Sequence, residues 1–161
     1  MKEQGRVWIC VADNRGARLL ASADAPPGRR RLEVLDSIDN EREELQHGRP
    51  SPRTAKEGHS YASLGHEDDE RLARFAADVV AWLTRHAAGQ NVEQLAIFAG
   101  PQLLGAMRKS YTPELTSRVR EHKADLGNLT PAQLAQHRTI LSVLQELELE
   151  AEEVEEAEVS A

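Results

Sequence analysis

Apolar and polar residues alternate with two different periods along the chain, and each period predicts one kind of element. Nearly continuous apolar runs at 6–13 and 94–99 are typical of strands buried on both faces. Two more strands are predicted at 17–23 and 31–38. The strand at 31–38 has the pattern of an edge strand, with Leu32, Val34 and Asp36 on one face. A polar segment at 117–125 is interpreted as a further strand. Turn residues after Asp13 predict that the first two strands form a hairpin.

Three other segments carry the period of a helix. The strongest apolar stripe lies at 72–83, and we expect Glu67–Glu70 in the first turn of that helix, where its dipole favours negative charge. A short helix is predicted to begin at Pro101, because proline lacks the amide hydrogen that the first helical position leaves unpaired. The last helix is predicted to begin at Pro131, after a capping box of Thr130 and Gln133, and to bury one continuous face.

The order of these elements predicts an α/β fold. Three strands joined by turns, followed by alternating helices and strands, predict a mixed sheet of about five strands flanked by helices. We therefore expect one domain over residues 1–144, with a flexible loop at about 40–65 and an acidic helical or disordered tail at 145–161. This is the plan of a ribonuclease-H-like domain.

Composition excludes several classes of protein. Aromatic residues make up 4% of the 161 residues, which argues against a surface that stacks bases. The single cysteine, Cys10, excludes an internal disulfide and predicts a buried, inert thiol. No apolar run reaches the roughly 18–20 residues that cross a membrane, so we expect a cytoplasmic protein without a membrane partner.

The net charge of −7 is unevenly distributed. Residues 145–161 carry eight glutamates and neither lysine nor arginine, which leaves 20 basic and 19 acidic side chains in the rest of the chain. The body is therefore nearly neutral. The tail is interpreted as a solvated extension; a surface for a protein partner and a shield or mimic of nucleic acid are the alternatives.

Short segments spread along the chain carry a resemblance to a known family. They are Val11–Leu20, Gly48–Pro50, His66–Ala76, Gly100–Arg108 and Lys123–Leu126. In these segments and their order, the chain resembles the bacterial host attachment protein family, whose sequences resemble the middle domain of archaeal and eukaryotic peptide-chain release factors. The resemblance spans most of residues 7–135. It implies a ribonuclease-H-like sheet and a partner in the ribosome or tRNA.

One release-factor motif is missing from the chain. In release factors, the loop before the long helix carries Gly-Gly-Gln, which acts at the peptidyl-transferase centre. The matching loop here, at about 46–65, carries Gly58-His59-Ser60, and the only Gly-Gln is Gly89-Gln90, on the other side of the helix. The resemblance therefore does not carry peptide release with it.

Our first hypothesis is a non-enzymatic binding module that acts on the ribosome or tRNA. Basic side chains and histidines suit contacts with phosphates, and flexible basic loops suit RNA. We expect neither a cofactor nor a metal, because the histidines lack the paired spacing of metal ligands on a helix. The candidate binding residues are Arg49, Arg53, Lys56, His59, His66, Arg108, Lys109 and Lys123.

Two alternatives remain open. The first is a divergent metal-dependent nuclease or hydrolase using Asp13, Glu70 and Asp125, since two-metal chemistry needs several carboxylates at one point. Against it, Asp13 also fits the role of a cap on the hairpin turn. The second alternative is a protein-interaction factor linked to host attachment, with the acidic tail as its contact surface.

Overall fold

A mixed sheet forms the centre of the protein in the computed structural model, which describes residues 7–23, 31–40, 61–88, 90 and 92–160. Its strands are β1 (Val7–Asp13), β2 (Gly16–Ala23), β3 (Arg31–Asp39), β4 (Gln94–Ala99) and β5 (Val119–Lys123). Their order in the sheet is β3-β2-β1-β4-β5. β1 pairs antiparallel with β2 and parallel with β4, β2 pairs antiparallel with β3, and β4 pairs parallel with β5. This confirms the predicted α/β fold with five strands in one sheet.

Helices cover both faces of this sheet. They are α1 (Tyr61–Ala87), α2 (Pro101–Arg108), α3 (Pro113–Thr116), α4 (Pro131–Gln136) and α5 (Arg138–Ser160). Because α1 begins at Tyr61, the acidic cluster at Glu67–Glu70 lies beyond its first turn, and our prediction of its place was wrong. The end of the predicted loop, at 61–65, is helical, and residues 41–60 lie outside the described part of the chain.

The two faces of the sheet bury two separate apolar clusters. Successive residues of β1 point to opposite faces, so Cys10 joins the cluster with α1 and α2, while Ile9 joins the cluster with α4 and α5. Both side chains are completely buried. The predicted burial of the Cys10 thiol is confirmed, and this burial raises its pKa to about 12.

The last helical segment is divided where the sequence predicts one helix. The capping box is confirmed, because the Thr130 hydroxyl accepts from the Gln133 amide at 3.1 Å and the Gln133 side chain accepts from the Thr130 amide at 2.9 Å. The break comes at His137, whose extended backbone (φ −71°, ψ 129°) separates α4 from α5. Helix α5 then crosses the predicted boundary at residue 144, and Leu147 beyond that boundary lies buried in the core.

Strand β3 contains a bulge that the sequence pattern does not reveal. Leu19 pairs with Asp36 and Leu20 pairs with Val34, so Leu35 is an extra residue in β3. The bulge turns Asp36 towards α1, so our prediction that Asp36 shares a face with Leu32 and Val34 was wrong.

The turned carboxylate of Asp36 ties β3 to the end of α1. It accepts hydrogen bonds from the Trp82 indole at 2.9 Å and from the imidazole Nε2 of His86 at 2.8 Å. These bonds, the one from Trp82 first, lower the pKa of Asp36 to about 2.

His122 on β5 is held in an environment that favours its neutral form. Its ring stacks on Phe98 with centroids 4.9 Å apart, and its Nε2 is buried without a partner among the described residues. Burial lowers the pKa of His122, while the nearby charge of Glu146 acts in the opposite direction.

This burial predicts a loss of stability in mild acid. Because the pKa of His122 lies below its ordinary 6.5 only in the folded state, the unfolded chain binds this proton more tightly. We expect the free energy of unfolding to fall as the pH drops below about 6.5, as measured by urea unfolding between about pH 7.5 and 5.5. The His122→Phe variant keeps a ring on Phe98 and should lose stability less steeply; equal slopes for the two proteins would contradict the prediction.

Candidate functional site

An open cavity lies at the edge of the sheet where the parallel strands β1, β4 and β5 end, which we call the carboxyl edge. Ligands of α/β proteins commonly bind at such an edge, outside the carboxyl ends of the strands. The cavity has a volume of about 460 Å³. It is lined by Asp13, Asn14, Arg15, Gly100, Pro101, Gln102, Leu103 and Asp125.

Asp13 caps the hairpin turn at one side of this cavity. Its Oδ1 accepts hydrogen bonds from the backbone amides of Arg15 at 2.8 Å and Gly16 at 3.2 Å. Its Oδ2 lies 3.4 Å from Nη2 of Arg15. Both carboxylate oxygens therefore have partners within the protein, as the turn-capping interpretation expects.

The segment after β5 packs directly against this turn. Nη2 of Arg15 also donates to the side-chain oxygen of Asn128, and Nη2 of Arg18 donates to the carbonyl of Gly127 at 3.3 Å. Gly127 lies so close to Asp13 that an added Cβ would stand 2.0 Å from its Oδ2. Glycine at this position is what allows the two segments to meet.

The turn from β4 into α2 forms the other side of the cavity, and α2 begins at Pro101 as predicted. Gly100 precedes the helix with an extended backbone (φ −68°, ψ 162°), and no side chain caps it. The carbonyl of Gly100 accepts the first helical hydrogen bond, from Leu104 at 3.0 Å. A Cβ added at Gly100 would meet nothing within 4 Å, so the cavity is open above this residue.

The structure brings together two of the three carboxylates named for the nuclease alternative. Asp13 and Asp125 both line the cavity. Glu70 does not line it; it lies on α1, with Oε2 at 3.9 Å from Nη2 of Arg74. Among the described residues, no three His, Cys, Asp or Glu side chains lie close enough to hold a metal ion.

The predicted binding residues fall into three groups. The first group lies outside the described residues and consists of Arg49, Arg53, Lys56 and His59. The side chain of His66 also lies outside them, although its backbone belongs to α1. Lys109 follows α2 on the surface, and Lys123 ends β5 beside the carboxyl edge.

Arg108 forms the third group, because another residue already holds its side chain. Its Nε donates to Glu121 at 2.8 Å, and the Tyr111 hydroxyl donates to the same carboxylate at 2.9 Å. Arg108 is the last residue of α2 and does not line the cavity.

Sequence reasoning missed Arg15, Asn14 and Gln102 as site residues. Arg15 and Asn14 look like ordinary turn residues, and Gln102 looks like an ordinary surface position of a helix. The contact between Arg15 and Asn128 joins residues 113 positions apart, so no local pattern indicates it. The sequence offered one signal for this site. β1 ends at Asp13 and β4 ends just before Gly100, and the ends of parallel strands meet at one edge of a sheet.

Asn40 fixes the end of β3 at the carboxyl edge. Its amide donates to the carbonyl of Arg15 and its side-chain nitrogen donates to the carbonyl of Asn14, both at 2.8 Å. Among the described residues, Asn40 is the one polar residue that is buried, with 6% of its surface exposed. Asn40 therefore lies beside the hairpin turn that borders the cavity.

These features define an α/β protein built on one mixed sheet, with a polar cavity at the ends of its parallel strands. The sequence model of the family described as "Protein required for attachment to host cells" matches residues 8–137. Since this match covers most of the chain, the protein belongs to the host attachment protein family. A search of curated protein sequences finds no significant match.

Within the described residues, no helix combines the length and the apolar character needed to cross a bilayer.

The close approach of Gly127 to Asp13 predicts the effect of a single methyl group. Gly127→Ala should lower the free energy of unfolding by about 1–3 kcal/mol, because the turn and the segment after β5 must move apart. Gly105→Ala in α2 is the matched control, since its Cβ would meet nothing within 4 Å and helical alanine is favoured by about 0.5–1 kcal/mol. Urea unfolding measures both, and equal effects would contradict the packing described.

Proposed function

We propose that this protein is a non-catalytic binding module that contacts phosphate groups of the ribosome or tRNA at the carboxyl edge. The observation that carries the proposal is the anchoring of Asn40 on the turn beside the cavity. The segment that follows Asn40 carries the basic residues of our first hypothesis. Asn40, the last described residue before that segment, lies beside the cavity.

Residues 41–60 carry four acidic and four basic side chains, and three of the basic ones fall in one part without acidic residues, which suits a phosphate-bearing ligand. Residues 45–56 contain Arg49, Arg53 and Lys56 and no acidic side chain. Lys123 adds a positive charge beside the carboxyl edge. Contacts between such side chains and nucleic acid release counterions, which drives binding and makes it sensitive to salt.

The hydrogen bonds of Asp13 support a binding role over a catalytic one. Its two oxygens are engaged by the hairpin amides and by Arg15, so its position is explained by the fold. Glu70, which the nuclease alternative also requires, pairs with Arg74 instead of lining the cavity.

Co-sedimentation with purified ribosomes over a salt series tests the proposal. We expect the intact protein to bind at low salt and to lose affinity as salt rises. Alanine at Arg49, Arg53 and Lys56 together should weaken binding and reduce the slope of log affinity against log salt by about 2–3, since each phosphate contact contributes about 0.7–0.9.

A second triple variant separates a local contact from a change in net charge. Arg31, Arg85 and Arg118 are placed at or beside the opposite edge of the sheet, so alanine at these positions changes the charge equally while leaving the carboxyl edge intact. It should retain the slope of the intact protein. Absence of binding at low salt, or equal losses in the two variants, would overturn the proposal.

The second candidate function is protein binding through the acidic end of α5. Leu149 is 53% exposed between two glutamates, and Glu150 reaches Arg120 at 3.4 Å, so this part of the helix offers apolar and acidic side chains together. A chain that ends after Glu148 lacks Leu149 and Glu150 and therefore distinguishes the candidates in the same assay. Contact with RNA predicts unchanged or stronger ribosome binding after this truncation, whereas contact with a basic protein predicts weaker binding.

A further inference from the structure

The cavity at the carboxyl edge presents polar side chains that have no partner within the described part of the protein. The side chains of Asn14, Gln102 and Asp125 line it and form no hydrogen bond with another described residue. The amide groups of Asn14 and Gln102 each offer both a donor and an acceptor, whereas a carboxylate such as that of Asp125 only accepts. A ligand that fits must therefore present several polar groups of both kinds.

Arg15 adds a positioned cation to this set. Both of its side-chain contacts, with Asp13 and with Asn128, use Nη2. Its Nη1 and Nε are therefore free among the described contacts, and the side chain is 65% exposed. A guanidinium held by one nitrogen presents its remaining donors in a fixed plane, which is the geometry that phosphate oxygens accept in pairs.

The cavity also has room and an apolar surface for a ring. Its volume of about 460 Å³ lies within the roughly 300–1,000 Å³ of small-molecule sites. Pro101, an exposed apolar residue, lies in its wall. Amide and carboxylate side chains commonly bind the hydrogen-bonding edges of bases, and a carboxylate accepts from a base amino group.

We propose that this cavity binds one unpaired nucleotide of RNA, with its phosphate on Arg15 and the amino group of its base on Asp125. This inference rests on the proposed function, because the inference names the part of the RNA that enters the cavity. The inference also assigns a preference for cytidine over uridine. Cytidine carries an amino group at ring position 4, whereas uridine carries a carbonyl oxygen there, which a carboxylate repels.

Titration of the full chain with CMP and with UMP, followed by backbone amide NMR, tests this pairing. CMP should shift the amides of Asn14, Arg15 and Gln102, and it should bind about tenfold more tightly than UMP, as expected for one matched polar contact. Asp125→Asn supplies a donor as well as an acceptor, so this variant should bind the two nucleotides about equally.

Two arginine variants locate the phosphate. Arg15→Gln should weaken both nucleotides by about tenfold, because a charge-assisted pair is lost. Arg120→Gln is the control, since Arg120 lies on β5 beside Glu150 and does not line the cavity; it should bind like the intact protein.

The inference is wrong if CMP shifts none of these amides, if CMP and UMP bind equally to the intact protein, or if Arg120→Gln weakens binding as much as Arg15→Gln. If the nucleotides fail while the basic triple variant still loses ribosome binding, the inference falls and the proposed function stands. If CMP binds as expected but ribosomes do not, the cavity remains a nucleotide site and the proposed function falls.

Discussion

The carboxylate of Asp13 joins two of the three parts of the chain that border the cavity. It closes the β1–β2 hairpin through the amides of Arg15 and Gly16, and it receives the segment after β5 at Gly127. The site depends on this contact because its walls come from distant parts of the sequence. One side chain thus sets both the shape of the turn and the position of Arg15.

The sheet provides the rigid support for this contact. β1 lies between an antiparallel and a parallel neighbour, and its side chains fill a separate apolar cluster on each face. A strand fixed on four sides cannot shift along its neighbours without exposing buried groups. The residues that end β1 and β4 therefore keep a constant separation, as a preformed binding site requires.

The sequence was most informative where one local cause determines the structure. Two-sided burial identified β1 and β4, and the Thr130 capping box identified the start of α4. It was least informative where tertiary contacts decide. The bulge at Leu35 depends on the pairing of β3 with β2, and the place of Arg15 depends on Asn128. Of the residues that line the candidate site, the sequence analysis named Asp13 and Asp125, both for the nuclease alternative.

The bulge in β3 has a consequence for how the protein behaves in a crowded solution. β3 is a terminal strand of the sheet, and a regular strand in that position offers a template on which another chain can pair. The extra residue at Leu35 interrupts the spacing of its backbone groups, and charged residues, among them Arg31 and Asp39, follow along its length. The same irregularity that turns Asp36 towards α1 thus makes this edge a poor seed for aggregation.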